Sequence, residues 1–141
     1  MTVEENVAVV MRFFGEMLDQ RKMEIESELF TPDCKRYFPG HQIMGLTHSQ
    51  VETTTYSSFK TTVHDVFGAG DKVCARITHT VAYTSDIAKY PRFGPVPAAG
   101  KTLSWDANVI FRFEESGKIA EEWVARDELG VLQQLGVVPK A

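Results

Sequence analysis

An α+β domain, a curved and mainly antiparallel sheet wrapped around an N-terminal helix, is predicted by three observations. Apolar residues up to Leu18 recur at helical spacing, those from Phe59 onward alternate with a period of two, and the change of regime is not interrupted by repeats, low-complexity tracts or linkers. A chain of 141 residues is one domain's worth, residues 1–141, and a fold of that size removes roughly two thirds of its unfolded surface from water. With 43% hydrophobic and 24% charged residues the composition is that of an ordinary globular protein, which sets aside disordered, collagen-like and disulfide-scaffold classes.

The first element is justified by its start and its stripe. Thr2 with Glu5 three residues on makes a capping box, and Val7, Val10, Met11, Phe14, Met17 and Leu18 share one face, opposite Glu5, Arg12, Glu16 and Asp19. A shorter helix is expected over Met23 to Phe30, ended by Thr31-Pro32-Asp33 because the residue before a proline avoids the helical region. Cys34 to Phe38 reads as a strand closed by Pro39-Gly40, and Thr47 is expected to open a third helix running to Tyr56. Thr61 to Val66 leads through the turn Gly68-Ala69-Gly70-Asp71 into a long strand from Val73 to about Thr84. That strand presents Val73, Ala75, Ile77, His79, Val81 and Tyr83 on one face. After a loop stiffened by Pro91, Pro95 and Pro97, a strand from Thr102 to Phe113 turns at Glu114-Glu115-Ser116-Gly117 into a last strand, Lys118 to about Arg126, and a helix from Asp127 to Leu135 follows. A sheet this long, curled around a helix, encloses a conical cavity, the natural place for chemistry.

Fifteen Lys+Arg against 19 Asp+Glu give a net charge of −4 without a basic stripe, so nucleic acid is not an expected partner. Neither a signal peptide nor a membrane span is visible, and a cytoplasmic location is expected. Cys34 and Cys74 are expected to be reduced structural thiols in strands. No pair of histidines has metal-ligand spacing, so no metal is expected; His41 and His64 are expected at the surface. There is no Gly-x-Ser-x-Gly elbow for a serine nucleophile, and Gly68-Ala69-Gly70 is a hairpin turn and not a dinucleotide fingerprint.

The stretch Gly117-Lys118-Ile119-Ala120-Glu121-Glu122-Trp123, then Asp127, then Leu132-Gln133-Gln134-Leu135-Gly136 resembles the closing signature of SnoaL-like polyketide and ester cyclases of the nuclear-transport-factor-2-like superfamily. Pro97-Ala98-Ala99-Gly100-Lys101 resembles the family's Pro-Pro-Thr-Gly-Lys loop, Ile110-Phe111-Arg112-Phe113 its following strand, and Leu29-Phe30-Thr31-Pro32-Asp33 the segment after its early helix. The resemblance covers nearly the whole chain. It implies an α+β cone, often a homodimer packed through its sheets, that works without metal or organic cofactor on a hydrophobic polyketide- or terpenoid-like ester, an acidic side chain taking a proton beside a carbonyl. The chain departs from the cyclases in placing Ala107 and Val109 where they carry a Gln and a His. Val124 stands in place of an acid, Tyr83 in place of a His and Ala99 in place of a Thr.

Asp127 is the expected proton-transfer group, since an apolar cavity would raise its pKa and strengthen it as a base; its position at the start of the last helix equally fits an N-cap. His79 and Tyr83, four residues apart on one strand and so about 13 Å apart along one face, are expected to orient or polarise a carbonyl, or else to fill the core with satisfied polar tips. The odd-numbered face of the strand containing Trp105, Ala107 and Val109 is expected to line the cavity, with Asp106 and Asn108 outward. Phe14, Tyr56, Trp105, Val109 and Trp123 are the expected substrate-contacting residues, within an aromatic inventory that is mostly core. The expected function is a cofactor-independent cyclase or isomerase acting on a hydrophobic carbonyl compound. A ligand-binding or dimerising protein of the same fold is the alternative. Epoxide hydrolysis or dehydration is a third reading, disfavoured because the Arg-x-Asp of superfamily epoxide hydrolases does not occur.

Overall fold

The computed structural model describes residues 1–46 and 55–140. Helix α1, Val3–Arg12, begins with the expected capping box: Thr2 Oγ1 accepts the Glu5 N–H at 3.1 Å while Glu5 Oε2 accepts the Thr2 N–H at 3.0 Å. It continues into a π-helical segment, Phe13–Asp19, where the sequence had suggested unbroken α-helix. The wider winding turns both Phe13 and Phe14 inward, beside Met17, and puts Asp19 at the end facing the sheet.

Met23–Ile25 forms a 3₁₀ turn, and α2 is only the single turn Glu26–Leu29. The chain then enters β1, Phe30–Phe38, which starts earlier than the sequence suggested and carries Pro32 inside it. A proline without an N–H is accommodated because the pairing of β1 with the last strand is irregular between Phe30 and Lys35. Beyond Pro39-Gly40 a short strand β2, Gln42–Met44, folds back on β1. The helix expected from Thr47 falls outside the described residues except at its end, where Tyr56 begins β3, Tyr56–Ala69. Strands β4 (Lys72–Tyr83), β7 (Thr102–Phe113) and β8 (Ile119–Arg126) follow the sequence reading closely; β5 (Ile87–Tyr90) and β6 (Gly94–Val96) form a hairpin within the proline-bearing loop, and α3, Glu128–Gln134, comes last.

The six strands run in the order β2-β1-β8-β7-β4-β3, antiparallel throughout except for the parallel contact between β1 and β8. Two-residue alternation gives the sheet two distinct faces. Toward α1 and the π segment it presents Val73, Ala75 and Ile77 of β4 with Val109 and Phe111 of β7, packed on Val10, Phe13, Phe14, Met17, Leu29 and Phe30. Cys34, buried within β1, belongs to this core, and burial pushes its thiol pKa up to about 12; Cys74 lies on β4, partly exposed, and both thiols are free. No helix among the described residues is long and apolar enough to cross a membrane.

Candidate functional site

The cone is hollow between the π segment and the sheet. A cavity of about 290 Å³ lies there, walled by Phe14, Leu18 and Met23 from the helical side and by Phe38, Tyr56, Phe59, Trp105, Ala107, Val109 and Val124 from the sheet. Its size is at the lower end of small-molecule sites, which run from roughly 300 to 1,000 Å³. Pro91, Trp105 and Arg126 also line a second hollow of about 450 Å³ under the β5–β6 hairpin, so the two spaces share a wall.

Polar groups in the inner cavity are few, and each has a structural origin. His79 is on β4, where the register sets it between Thr61 of β3 and Trp105 of β7. Three aromatic rings meet the imidazole edge to face, Phe59 at 5.0 Å, Trp105 at 5.7 Å and Phe14 at 6.2 Å between centroids. This casing strips water from the ring and lowers its pKa to about 4, although Glu122 pulls the other way, so at neutral pH His79 is an uncharged acid/base group. Its Nδ1 lies 2.9 Å from Thr61 Oγ1, and the Thr61 N–H donates to Asp19 Oδ1 at 2.9 Å. Burial raises the Asp19 carboxyl pKa, opposed by the hydrogen bond from the Thr61 backbone.

The next row of the sheet holds an ion pair. Arg36 of β1 and Glu122 of β8 are register partners, and the Arg36 Nε–H donates to Glu122 Oε2 at 2.8 Å with side-chain exposures of 11% and 3%. Such a pair is expensive to desolvate and is retained here on the wall of a cavity. Arg126 completes the set. Its guanidinium and that of Arg36 each lie 4.9 Å from the Phe38 ring, and its Nε pairs with Glu128 Oε1 at 3.3 Å, whose other oxygen is held by Arg92 of the hairpin turn at 2.5 Å. Among the described residues, the ionised groups lining the cavity are therefore two guanidiniums against one carboxylate.

The expected site residues separate into three places. His79, Phe14, Tyr56, Trp105 and Val109 meet in the inner cavity. Tyr83 lines the neighbouring hollow with Tyr90, and burial pushes its phenol pKa up to about 12, so it can donate a hydrogen bond but stays protonated. Trp123 and Asp127 depart from expectation. Trp123 stands on the opposite face of the sheet, stacked on Tyr37 at 5.4 Å, because inward-facing Glu122 fixes the parity of β8. Asp127 is exposed and caps α3, its Oδ1 accepting the Gly130 N–H at 2.9 Å; a Cβ at position 130 would collide with this carboxylate, so the glycine lets the cap close. Its surroundings are a shallow depression on the outer face with His64 and Asp106, outside the cavity. Asp106 and Asn108 point outward as expected, and His41 and His64 are exposed.

Sequence reasoning passed over Glu122, Arg36, Arg126, Thr61 and Asp19. The only local signal was the Glu121-Glu122 doublet on an alternating strand, where one carboxylate must face inward; its partner Arg36 is 86 positions away.

The SnoaL-like polyketide cyclase family model matches residues 8–135. No curated protein matches the chain. Among solved structures, AclR of Streptomyces galilaeus is 19% identical with a TM-score of 0.80, over 99% of this chain and 86% of that one. TsrD of Streptomyces laurentii is 22% identical with a TM-score of 0.78, over 98% and 99% of the two chains. An epoxide hydrolase of M. tuberculosis, described as LEH-like, superimposes with a TM-score of 0.72 at 11% identity, over 96% and 92%. With a hollow α+β cone, a closing signature in place and the family model covering nearly the whole sequence, the chain belongs to the SnoaL-like polyketide cyclase family.

Proposed function

We propose that this protein is a cofactor-independent enzyme that moves a proton next to the carbonyl of a small hydrophobic substrate, as a cyclase or isomerase, with His79 as the proton-transfer group. The observation that carries this reading is an uncharged imidazole facing a cavity that it shares with the side chains of Arg36, Glu122 and Arg126. Removing a proton beside a carbonyl creates an enolate, and a low-dielectric cavity with one excess positive charge favours that anion over the neutral ketone. Aromatic walls suit a flat or polycyclic skeleton, and about 290 Å³ suits one or two rings. The phenol of Tyr56, its pKa raised by burial, is available as a hydrogen-bond donor.

The test uses 2-tetralone in D₂O, following loss of its α-proton signals by NMR. The wild-type protein should accelerate exchange over buffer, and His79→Gln should lose roughly 10²- to 10⁴-fold of that acceleration. Exchange no faster than in buffer, or unaffected by the substitution, overturns the reading.

A second reading, a binding protein that holds a ligand without converting it, is favoured by the turning of Asp127 to the helix cap. It predicts that 2-tetralone quenches the Trp105 fluorescence without exchanging protons.

We also infer a homodimer through the outer sheet face. There Ile43, Tyr37, Trp123, Ile110, Cys74 and Phe67 are successive register partners across all six strands, with Ile43, Phe67 and Ile110 exposed by 64, 62 and 41%. An apolar row of that width suits an isologous contact between two copies of the sheet. Ile110→Asp should convert the dimer to monomer in sedimentation; a wild-type monomer ends this inference.

A further inference from the structure

Arg126 stands where the inner cavity and the hollow under the β5–β6 hairpin share a wall, and its guanidinium fork is largely unused. Among the described residues its only hydrogen-bond partner is Glu128, which Nε reaches at 3.3 Å, so the N–H groups of the two terminal nitrogens have no acceptor. The side chain is nevertheless only 20% exposed and its guanidinium lies 4.9 Å from the Phe38 ring. A guanidinium withdrawn from water with open donors is unusual, because such groups are satisfied by a protein acceptor or by a ligand.

We propose that Arg126 binds the carboxylate of an acidic substrate at the boundary of the two hollows, with the rings of that substrate in the inner cavity and the phenols of Tyr83 and Tyr90 as further donors under the hairpin. The substrate of the reaction read from the inner cavity is then a hydrophobic keto acid, and the proposal rests on that reading for the keto half alone.

Three features of the second hollow favour an anion. The fork of an arginine matches the two oxygens of a carboxylate. The hydroxyls of Tyr83 and Tyr90, both lining this hollow, make no hydrogen bond among the described residues, and burial raises both phenol pKa values, so each remains a donor at neutral pH. The positive charge of Arg126 is also incompletely answered, since Glu128 is shared with Arg92 of the hairpin turn. Among the described residues the one carboxylate on the wall is Asp86, whose Oδ1 is engaged by the Ala99 N–H at 3.0 Å. When the bound acid gives its α-proton to the His79 imidazole, the C–H electron pair passes to the carbonyl oxygen as an enolate, and the imidazolium formed in the same step supplies the opposing charge.

The experiment is titration calorimetry of the full-length protein at neutral pH with 2-naphthylacetate and with its neutral isostere 2-naphthylacetamide. Wild-type protein should bind the acid about 10- to 100-fold more tightly than the amide. Arg126→Gln should remove that preference and leave the amide bound as before, Tyr83→Phe and Tyr90→Phe should each weaken the acid alone, and Arg76→Gln on the outer face should change neither. Proton–proton NOEs from the methylene of the bound acid to the Tyr83 or Tyr90 ring should appear in the wild-type protein, a readout that survives any failure of Arg126→Gln to fold. Equal affinity for acid and amide, an acid affinity indifferent to Arg126→Gln, or a bound acid without those NOEs overturns the proposal. Binding is read without turnover, so the two readings fail separately: preferential binding of the acid without accelerated 2-tetralone exchange ends the catalytic reading and keeps the acid site, whereas accelerated exchange without preference for the acid ends the acid site alone.

Discussion

The two faces of this sheet carry similar side chains to different ends. Each has an Arg–carboxylate pair and a His–Thr–Asp set. On the inner face, Arg36 and Glu122 are 2.8 Å apart and almost wholly buried; on the outer face, Arg76 and Asp65 are 2.6 Å apart with exposures of 59% and 53%. Consecutive residues of β8 show the same division. Glu121 points outward to the Arg112 guanidinium and the Tyr37 hydroxyl, which hold its carboxyl below the usual range, whereas Glu122 points into the cavity. Distance alone therefore says little about what a polar contact does. The surrounding medium decides, because water screens one pair and an aromatic cavity does not screen the other.

The sharpest way to break this comparison is to delete the cation from each pair. Arg36→Ala leaves a buried carboxylate without its counter-charge and should cost about 3–5 kcal/mol in urea unfolding, while Arg76→Ala should cost no more than about 1 kcal/mol. Equal costs for the two variants would mean that the inner face is wet. The second probe is pH. Burial lowers the His79 pKa to about 4 in the fold, against about 6.5 in the unfolded chain, so the unfolded state binds more protons between those values. The stability contributed by the neutral ring is complete above about pH 6.5 and is lost progressively toward about pH 4, by at most about 3 kcal/mol. His79→Gln should flatten that part of the stability-pH curve, and an unchanged slope would show the ring to be solvated. The smallest effect belongs to the outer face. Asp127→Ala removes the cap of a two-turn helix and should lower stability by about 1 kcal/mol, leaving 2-tetralone exchange intact; a collapse of exchange in that variant would return Asp127 to the chemistry.

What could be read from the sequence follows from the range of the forces involved. The capping box, the β3–β4 turn and the limits of β7 are local, and Thr2, Glu5 and Gly70 announce them within a few residues. His79 and Trp105 were legible as cavity residues because two-residue alternation fixes their face once Val73 and Ile77 are seen to be buried. The parity of β8 was not legible, because Glu121, Glu122 and Trp123 offer no apolar alternation; inward placement of Trp123 is as reasonable locally as the inward Glu122 that Arg36 stabilises from across the sheet. The π-helical stretch was equally hidden. The apolar stripe of the first helix fits either winding, and the choice is made by the packing of Phe13 against Phe30 and Phe111. Asp127 was legible in both of its roles, and the glycine three positions later is the feature that distinguishes them.

One position in the wall controls how much room there is. Ala107 sits on β7 between Ile77 and Arg126, 5% exposed, the smallest side chain on the cavity surface among the described residues. Its side chain on the wall is a single methyl group, so a longer residue at this position would take volume from the cavity. Ligand dimensions in this protein can therefore drift by substitution at a single codon while the imidazole, the ion pair and the shell of the cone remain as they are.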